Sequence, residues 1–148
     1  AWIFERSLSE ADAIRQSAAN DKELQEAADL TEKALEYYKG RLFQSDDDMA
    51  ISLRHYLHHR FVQAVQQLGE YRQSRKEYEK AVALYEKGLK IDELVEPFYR
   101  GLIVCHHHLG QKAKAMAAYE RCKRIMVKNF DMFPSKETHA LKTSLLNQ

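Results

Sequence analysis

Residues 68–90 read LGEYRQSRKEYEKAVALYEKGLK, and residues 102–124 read LIVCHHHLGQKAKAMAAYERCKR. When the two stretches are aligned, residues of similar type recur at a constant offset: Leu68-Gly69 with Leu102-Ile103, Ala81 with Ala115, Tyr85 with Tyr119, and Gly88 with Cys122. Small residues let antiparallel helices approach closely, and aromatic side chains fill the space against the next helix pair. The spacing therefore predicts two successive repeats, each of which is a pair of helices.

The offset from Leu68 to Leu102 equals the period of tetratricopeptide repeats, which is about 34 residues. Outside the quoted stretches, apolar residues recur every three or four positions, which predicts further helices. The predicted helices cover about residues 2–18, 21–38, 49–71, 74–90, 94–109, 112–128 and 139–146. We expect an all-α fold in one domain, residues 1–148: a tetratricopeptide-like right-handed superhelix of about three antiparallel helix pairs, closed by a C-terminal capping helix.

Local signals set the predicted helix ends. Asn20 and Ser135 are expected N-caps, Gly40 a C-cap and Gly110 a helix breaker, while the spacing of Ser74 and Glu77 fits a capping box. Pro97 is tolerated in a first turn. The acidic run at residues 45–48 lacks the alternation of a calcium loop, so we expect a solvated turn and a negative helix start.

The apolar spacing also predicts which side chains face the core. In the first three predicted helices these are Trp2, Ile3, Leu8, Ala11 and Ile14, then Leu24, Ala27, Ala28, Leu35 and Tyr38, then Leu53, Leu57, Phe61, Val65 and Leu68.

Composition excludes several classes of protein. The chain carries 23 basic and 22 acidic residues, a balance unlike that of a stand-alone nucleic-acid binder. No apolar run approaches the ~20 residues that a membrane span requires, and no signal peptide is visible. Cys105 and Cys122 do not form a CxxC motif. We interpret them as core residues in a reducing cytoplasm, the alternative being a regulatory or metal-bound thiol.

No motif predicts catalysis or a metal site. His55 and His59 have the i, i+4 spacing of paired metal ligands, but neither they nor His106, His107 and His108 belong to an H-E-x-x-H motif. The serines are not in a Gly-x-Ser-x-Gly elbow, and there is no glycine-rich phosphate loop. We therefore expect neither an enzyme nor a metal or cofactor.

Two surfaces are candidates for binding. By repeat register, the first helices of the pairs line a concave groove, with Gln63, Gln66, Gln67, Glu70, Gln73, Arg100, Val104, His107 and His108. These residues do not form the Lys/Asn clamp with which chaperone-type tetratricopeptide domains hold a C-terminal carboxylate, although another peptide could lie there. The sixth predicted helix carries Lys112, Lys114, Arg121, Lys123, Arg124 and Lys128. This is either a solvated outer face or a patch for DNA phosphates or an acidic partner.

The last three predicted helices resemble a specific family, the bacterial transcriptional activator domain of antibiotic-regulatory-protein-type activators. The resemblance lies in Glu96-Pro97-Phe98-Tyr99-Arg100-Gly101-Leu102-Ile103, Leu109-Gly110-Gln111, Ala113-x-Ala115, Tyr119-Glu120-Arg121-Cys122 and Pro134-Ser135-x-Glu137-Thr138-x-x-Leu141. Phe4-Glu5 and Ala34-Leu35-x-x-Tyr38-x-Gly40-x-Leu42 look like upstream parts of the same family. The chain departs from the family pattern at Asp92-Glu93 and in residues 129–133.

The resemblance implies a regulatory and protein-interaction domain that follows a winged helix-turn-helix DNA-binding domain, which we expect upstream of Ala1. Its implied partners are a second copy, including a homodimer, or the transcription machinery. DNA would be bound through the upstream domain, and no membrane is involved. The alternative is a cytoplasmic tetratricopeptide scaffold that binds a peptide in its concave groove.

Overall fold

A computed structural model describes residues 2–38 and 47–146. Most of these residues are helical, and there is no strand among them. The helices are α1 (Trp2–Ser17), α2 (Asp21–Glu36), α3 (Asp48–Ser74), α4 (Tyr78–Ile91), α5 (Glu96–His108), α6 (Lys112–Phe130) and α7 (Lys136–Leu141), and a π-helical turn (Lys142–Leu146) follows α7. The all-α prediction is confirmed. The chain forms two compact units that divide between Leu68 and Gly69, inside α3.

Several predicted helix caps are present. The Asn20 side chain accepts a hydrogen bond from the Glu23 amide at 3.0 Å, and the Ser135 hydroxyl accepts one from the Thr138 amide at 3.5 Å. The Asp47 carboxylate accepts from the Met49 amide at 2.8 Å, as expected for a negative helix start. Pro97 lies in the first turn of α5. The predicted cap at Gly40 lies outside the described residues.

The predicted capping box at Ser74 and Glu77 is wrong. Helix α3 continues to Ser74, whose hydroxyl donates back to the Tyr71 carbonyl at 2.6 Å. Glu77 precedes α4 without a side-chain cap and binds Arg72 and Lys80 instead. The spacing of Ser74 and Glu77 was misleading because the chain forms the C-terminal turn of α3 at this point, with Lys76 in the left-handed region at φ 60°.

In the first unit, α1 and α2 pack through small and aromatic side chains. Phe4, Tyr38 and Phe61 form a row of rings, with centroids 5.2 Å apart for the first pair and 4.5 Å for the second. Leu8 and Ala11 are buried with Ala27, Ala28 and Ala34. Leu57, Val65 and Leu68 are buried as predicted.

Part of the predicted core face is shifted. Trp2 is 70% exposed and Ile3 is 51% exposed, because Phe4 takes the inward position at the start of α1. Leu53 is also exposed, whereas Ile14, Leu24 and Leu35 are partly buried. Spacing of three or four residues fits more than one stripe on a short helix, so it did not select the buried one.

In the second unit, the Tyr85 ring lies between two glycines. A Cβ atom on either Gly69 or Gly101 would overlap this ring, so the glycines permit the close approach of α3 and α5 to α4. The Phe98 ring lies 6.0 Å from the Tyr85 ring, measured between centroids, and Phe98, Tyr99, Leu102 and Ile103 are all buried. Cys105 and Cys122 are buried free thiols, and burial raises their pKa values to about 11 and about 12.

The end of the chain covers the last helices. Helix α7 contacts α5, and the π-helical turn contacts both α5 and α6. Leu146 is buried there, whereas Leu141 and Leu145 are partly buried. The capping helix predicted for residues 139–146 is therefore present, but its first turn begins at Lys136 and its last turn is π-helical.

Candidate interaction surfaces

A polar network joins α1 to α3 within the first unit. Arg60 binds Glu5 through Nε at 3.2 Å and Asp12 through Nη1 at 2.9 Å. The Tyr56 hydroxyl donates to Glu5 at 2.8 Å, and this hydrogen bond raises the pKa of Tyr56. Sequence reasoning missed this network, although Glu5 and Asp12 are two helical turns apart and so share a helix face.

The network also engages one of the predicted groove residues. Arg15 donates to Asp12 at 2.7 Å, to Gln67 at 3.2 Å and to the buried Thr31 at 3.2 Å. Gln67 is thus held by α1. On α3, the helix that carries Gln67, Gln63 is exposed and Gln66 is partly buried.

The remaining predicted groove residues lie in the second unit. Gln73 donates to the Tyr85 hydroxyl at 2.8 Å, and Glu70 is exposed. His108 stacks on Tyr78 with centroids 4.6 Å apart, and the edge of His107 meets the His108 ring. Val104 is partly buried.

Arg100, the groove residue expected to supply a positive charge, is tied to the end of the chain. Its guanidinium donates to the Thr138 hydroxyl at 3.2 Å and pairs with Glu137 at 3.4 Å. Glu96 lies 3.9 Å away on the same helix. Arg100 therefore stabilises the packing of α7 on α5. Peptide binding in the groove stays a prediction, and the charge of Arg100, which is engaged by Thr138 and Glu137, does not support it.

Glu96 anchors the segment that precedes α7. Its carboxylate accepts from the Ser135 amide at 2.7 Å and from the hydroxyl of the fully buried Thr138 at 2.6 Å. Burial by itself would raise the pKa of Glu96, but these hydrogen bonds and the nearby Arg100 outweigh it, and the pKa is lowered. The Pro-Ser-x-Glu-Thr segment thus has a structural role.

The predicted basic face of α6 is partly engaged in packing. Arg121 makes two hydrogen bonds to Glu86 on α4, at 3.0 and 2.9 Å, and lies over the Tyr99 ring at 5.5 Å. Lys123 lies 5.6 Å from the centre of the Phe133 ring. Lys112, Lys114, Arg124 and Lys128 are exposed. The face is therefore narrower than the sequence suggested, and its use by DNA or an acidic partner stays a prediction.

A cleft at the end of the second unit was not predicted. We call it the terminal cleft; its volume is about 500 Å³. It is lined by Tyr119, Lys123, Phe133, Pro134, Lys136, His139, Ala140 and Lys142. The Lys142 ammonium lies 4.8 Å from the centre of the Tyr119 ring, and Phe133 is 72% exposed. No pattern in the sequence joins these residues, because α6, the following loop and α7 each contribute some of them.

Among the described residues, the histidines take part in no metal-binding cluster. Within residues 2–38 and 47–146, no group of three or more His, Cys, Asp or Glu side chains is placed to hold a metal ion. Over the same residues, no helix is long and apolar enough to cross a membrane.

Comparison with known families identifies the chain. The family described as "Bacterial transcriptional activator domain" matches residues 1–146. The chain belongs to this family. Among curated proteins, none matches it significantly. The bacterial transcriptional activator domain is a helical, tetratricopeptide-like domain of transcription regulation, not a known enzyme family. The resemblance found in the sequence is therefore confirmed.

Proposed function

We propose that this activator domain is the regulatory and protein-interaction part of a bacterial DNA-binding transcriptional activator. It acts by self-association or by contacts that control transcription, and it does so in the cytoplasm. The observation that carries the proposal is the family match over residues 1–146. Arg60, Arg100 and Arg121 each connect helices to one another, so these charged groups hold the interaction domain together.

Self-association is supported by an apolar edge on the first unit. Glu5 contacts Tyr56, and Arg15 contacts Gln67, so α1 and α3 run in the same direction. The start of α1 consequently lies beside the early turns of α3. The exposed apolar residues that α1 and α3 contribute at this end are Trp2, Ile3, Met49, Leu53 and Tyr56, and we call them the apolar edge.

We assign the apolar edge to a second copy of the chain. A two-fold symmetric interface brings the same surface of both subunits together, so the surface must be compatible with itself. An apolar surface meets this condition, whereas a surface with charge of one sign repels its copy. The cationic terminal cleft is for this reason a poor self-association surface.

Sedimentation velocity over a wide range of protein concentration tests this proposal. We expect a reversible dimer, and Met49→Glu should raise its dissociation constant at least about tenfold, since a charge replaces an exposed apolar side chain that the dimer would bury. Met132→Glu is the matched control, because Met132 is 62% exposed and lies in the other unit. A monomer at every concentration, or equal weakening by both variants, would contradict self-association through this edge.

The DNA-reading function belongs, in this proposal, to another domain of the activator. The near-neutral net charge supports this division, since the chain has 23 basic and 22 acidic residues. The pairing of Arg121 with Glu86 also supports this division, because the carboxylate neutralises one cation of the basic face of α6.

A further inference from the structure

The terminal cleft combines apolar and basic side chains. Tyr119, Phe133, Pro134 and Ala140 form the apolar part, and the side chains of Lys123, Lys136, Lys142 and His139 complete the lining. None of the described residues that line the cleft is acidic. A ligand that brings both apolar surface and negative charge would be complementary to it.

The repeat register explains why this cleft is open. Tyr119 is the counterpart of Tyr85 in the preceding repeat, whose ring is covered by Gly101 of the following helix. After Tyr119 the following helix, α7, is short and begins only at Lys136. Phe133 stands one repeat after Tyr99, yet it is mostly exposed whereas Tyr99 is fully buried. The space that a further repeat would fill is therefore only partly occupied.

The chemistry of the lining favours a peptide over the other anions. Small-molecule sites fix their ligand with a few rigidly placed polar groups, whereas the polar groups here are His139 and three lysines with flexible side chains. Nucleic-acid bases stack on open aromatic faces. Here Lys142 lies over the Tyr119 ring and Lys123 lies over the Phe133 ring. An extended acidic peptide needs no rigidly placed polar site, and its apolar side chain can pack against the exposed part of Phe133 without stacking on the ring face that Lys123 covers.

We propose that the terminal cleft binds an acidic peptide segment of a protein partner, whose aromatic or aliphatic side chain packs against Phe133 and whose carboxylates pair with Lys123 and Lys136. This inference rests on the proposed protein-interaction function and specifies the chemistry of one partner. The cleft and the apolar edge lie in different units, so each can be altered without changing the other.

The test measures fluorescence anisotropy of a labelled synthetic peptide in which Asp and Glu flank a central Phe-Leu pair. We expect saturable binding to the chain, weakened about tenfold or more by Lys123→Glu combined with Lys136→Glu, since two attractive pairs become repulsive. The matched control combines Lys87→Glu with Lys90→Glu, two lysines of α4 with the same change in charge. The control should change affinity less than about twofold.

Two further probes separate the cleft from a general attraction of anions. Phe133→Ala should weaken binding about fivefold to tenfold, and replacing Phe-Leu in the peptide by Ser-Ser should have a similar effect. The proposal is overturned if no saturable binding occurs, if both lysine pairs matter equally, or if the Ser-Ser peptide or a labelled DNA duplex binds as tightly. Circular dichroism of each variant establishes that it is folded.

Self-association measured on the same samples separates this inference from the proposed function. Failure of peptide binding with an intact dimer would contradict only the inference about the cleft. Peptide binding without a dimer would support the cleft and contradict the apolar edge.

Discussion

Lys76 and Gly110 occupy the same position in the turns of two successive repeats. Both have left-handed backbone conformations, with φ 60° for Lys76 and 71° for Gly110. The amide of each, and that of the next residue, donate to carbonyls in the last turn of the preceding helix, at 2.8–3.0 Å. The side chains repeat as well, since Arg72 binds Glu77 and His106 binds Gln111. The repeat is thus preserved in its turns, where the sequence shows no identity.

This relationship predicts a stabilising substitution. A left-handed conformation costs a residue with a Cβ atom about 1 kcal/mol and costs glycine almost nothing. Lys76→Gly should therefore raise the free energy of unfolding by about 0.5–1 kcal/mol, measured by urea denaturation. Gly110→Ala should lower it by about 1 kcal/mol. A loss of stability in Lys76→Gly would show that the side chain of Lys76 contributes more than its backbone strain costs.

The contact of Gly101 with the Tyr85 ring predicts that Gly101→Ala changes the stability in the opposite direction from an ordinary Gly→Ala substitution in a helix. In an open helix, Gly→Ala stabilises by about 1 kcal/mol. Gly101→Ala should instead destabilise by about 1–3 kcal/mol, since the added Cβ atom overlaps the buried ring. Replacing Tyr85 by Leu should remove most of this penalty in a double-mutant cycle on thermal or urea unfolding. Equal effects of Gly101→Ala in both backgrounds would contradict the packing described.

Glu96 predicts a dependence of stability on pH. Its pKa is lowered in the folded chain, so its contribution is fully present above its unfolded pKa and is lost as pH falls through the folded value. Glu96→Gln should cost about 1–3 kcal/mol at pH 7, since two hydrogen bonds to a carboxylate are changed. The difference from the parent chain should shrink as the solution is acidified below pH ~4. Melting temperatures of both proteins over this pH range measure the effect.

Glu137→Gln is the control for this prediction. Glu137 pairs with the same Arg100, but its side chain is 77% exposed, so its loss should change stability by less than about 0.5 kcal/mol. A pH-independent difference between the parent and Glu96→Gln would contradict the role given to the carboxylate.

The network around Arg60 predicts that lysine is a poor replacement. Arg60 reaches Glu5 and Asp12 with different nitrogens, which one ammonium group does not reproduce. Arg60→Lys should destabilise the chain by about 1–2 kcal/mol in urea denaturation. Arg6→Lys should be within about 0.5 kcal/mol of the parent, because the Arg6 side chain is exposed. Similar effects at both positions would mean that the network adds nothing to an ordinary surface arginine.

The parts of the fold that depend on local sequence were predictable. Asn20, Ser135 and Gly110 act at the helix ends where their side chains or backbone freedom suggested. The capping box at Ser74 failed because the same spacing accommodates a C-terminal turn, and the choice depends on how far α3 extends. The contact of Arg100 with Thr138 was not predicted, because the two residues are 38 positions apart, beyond what periodicity reports. The terminal cleft was missed for the same reason.

In the proposed function, this domain controls transcription through protein contacts and does not itself read DNA sequence. Selection from a pool of random DNA duplexes, using the chain alone, tests it without knowledge of a promoter. We expect weak, salt-sensitive retention of DNA and no enriched sequence motif, because contacts to phosphates alone carry no sequence information. Enrichment of a defined motif, bound tightly at physiological salt, would contradict it.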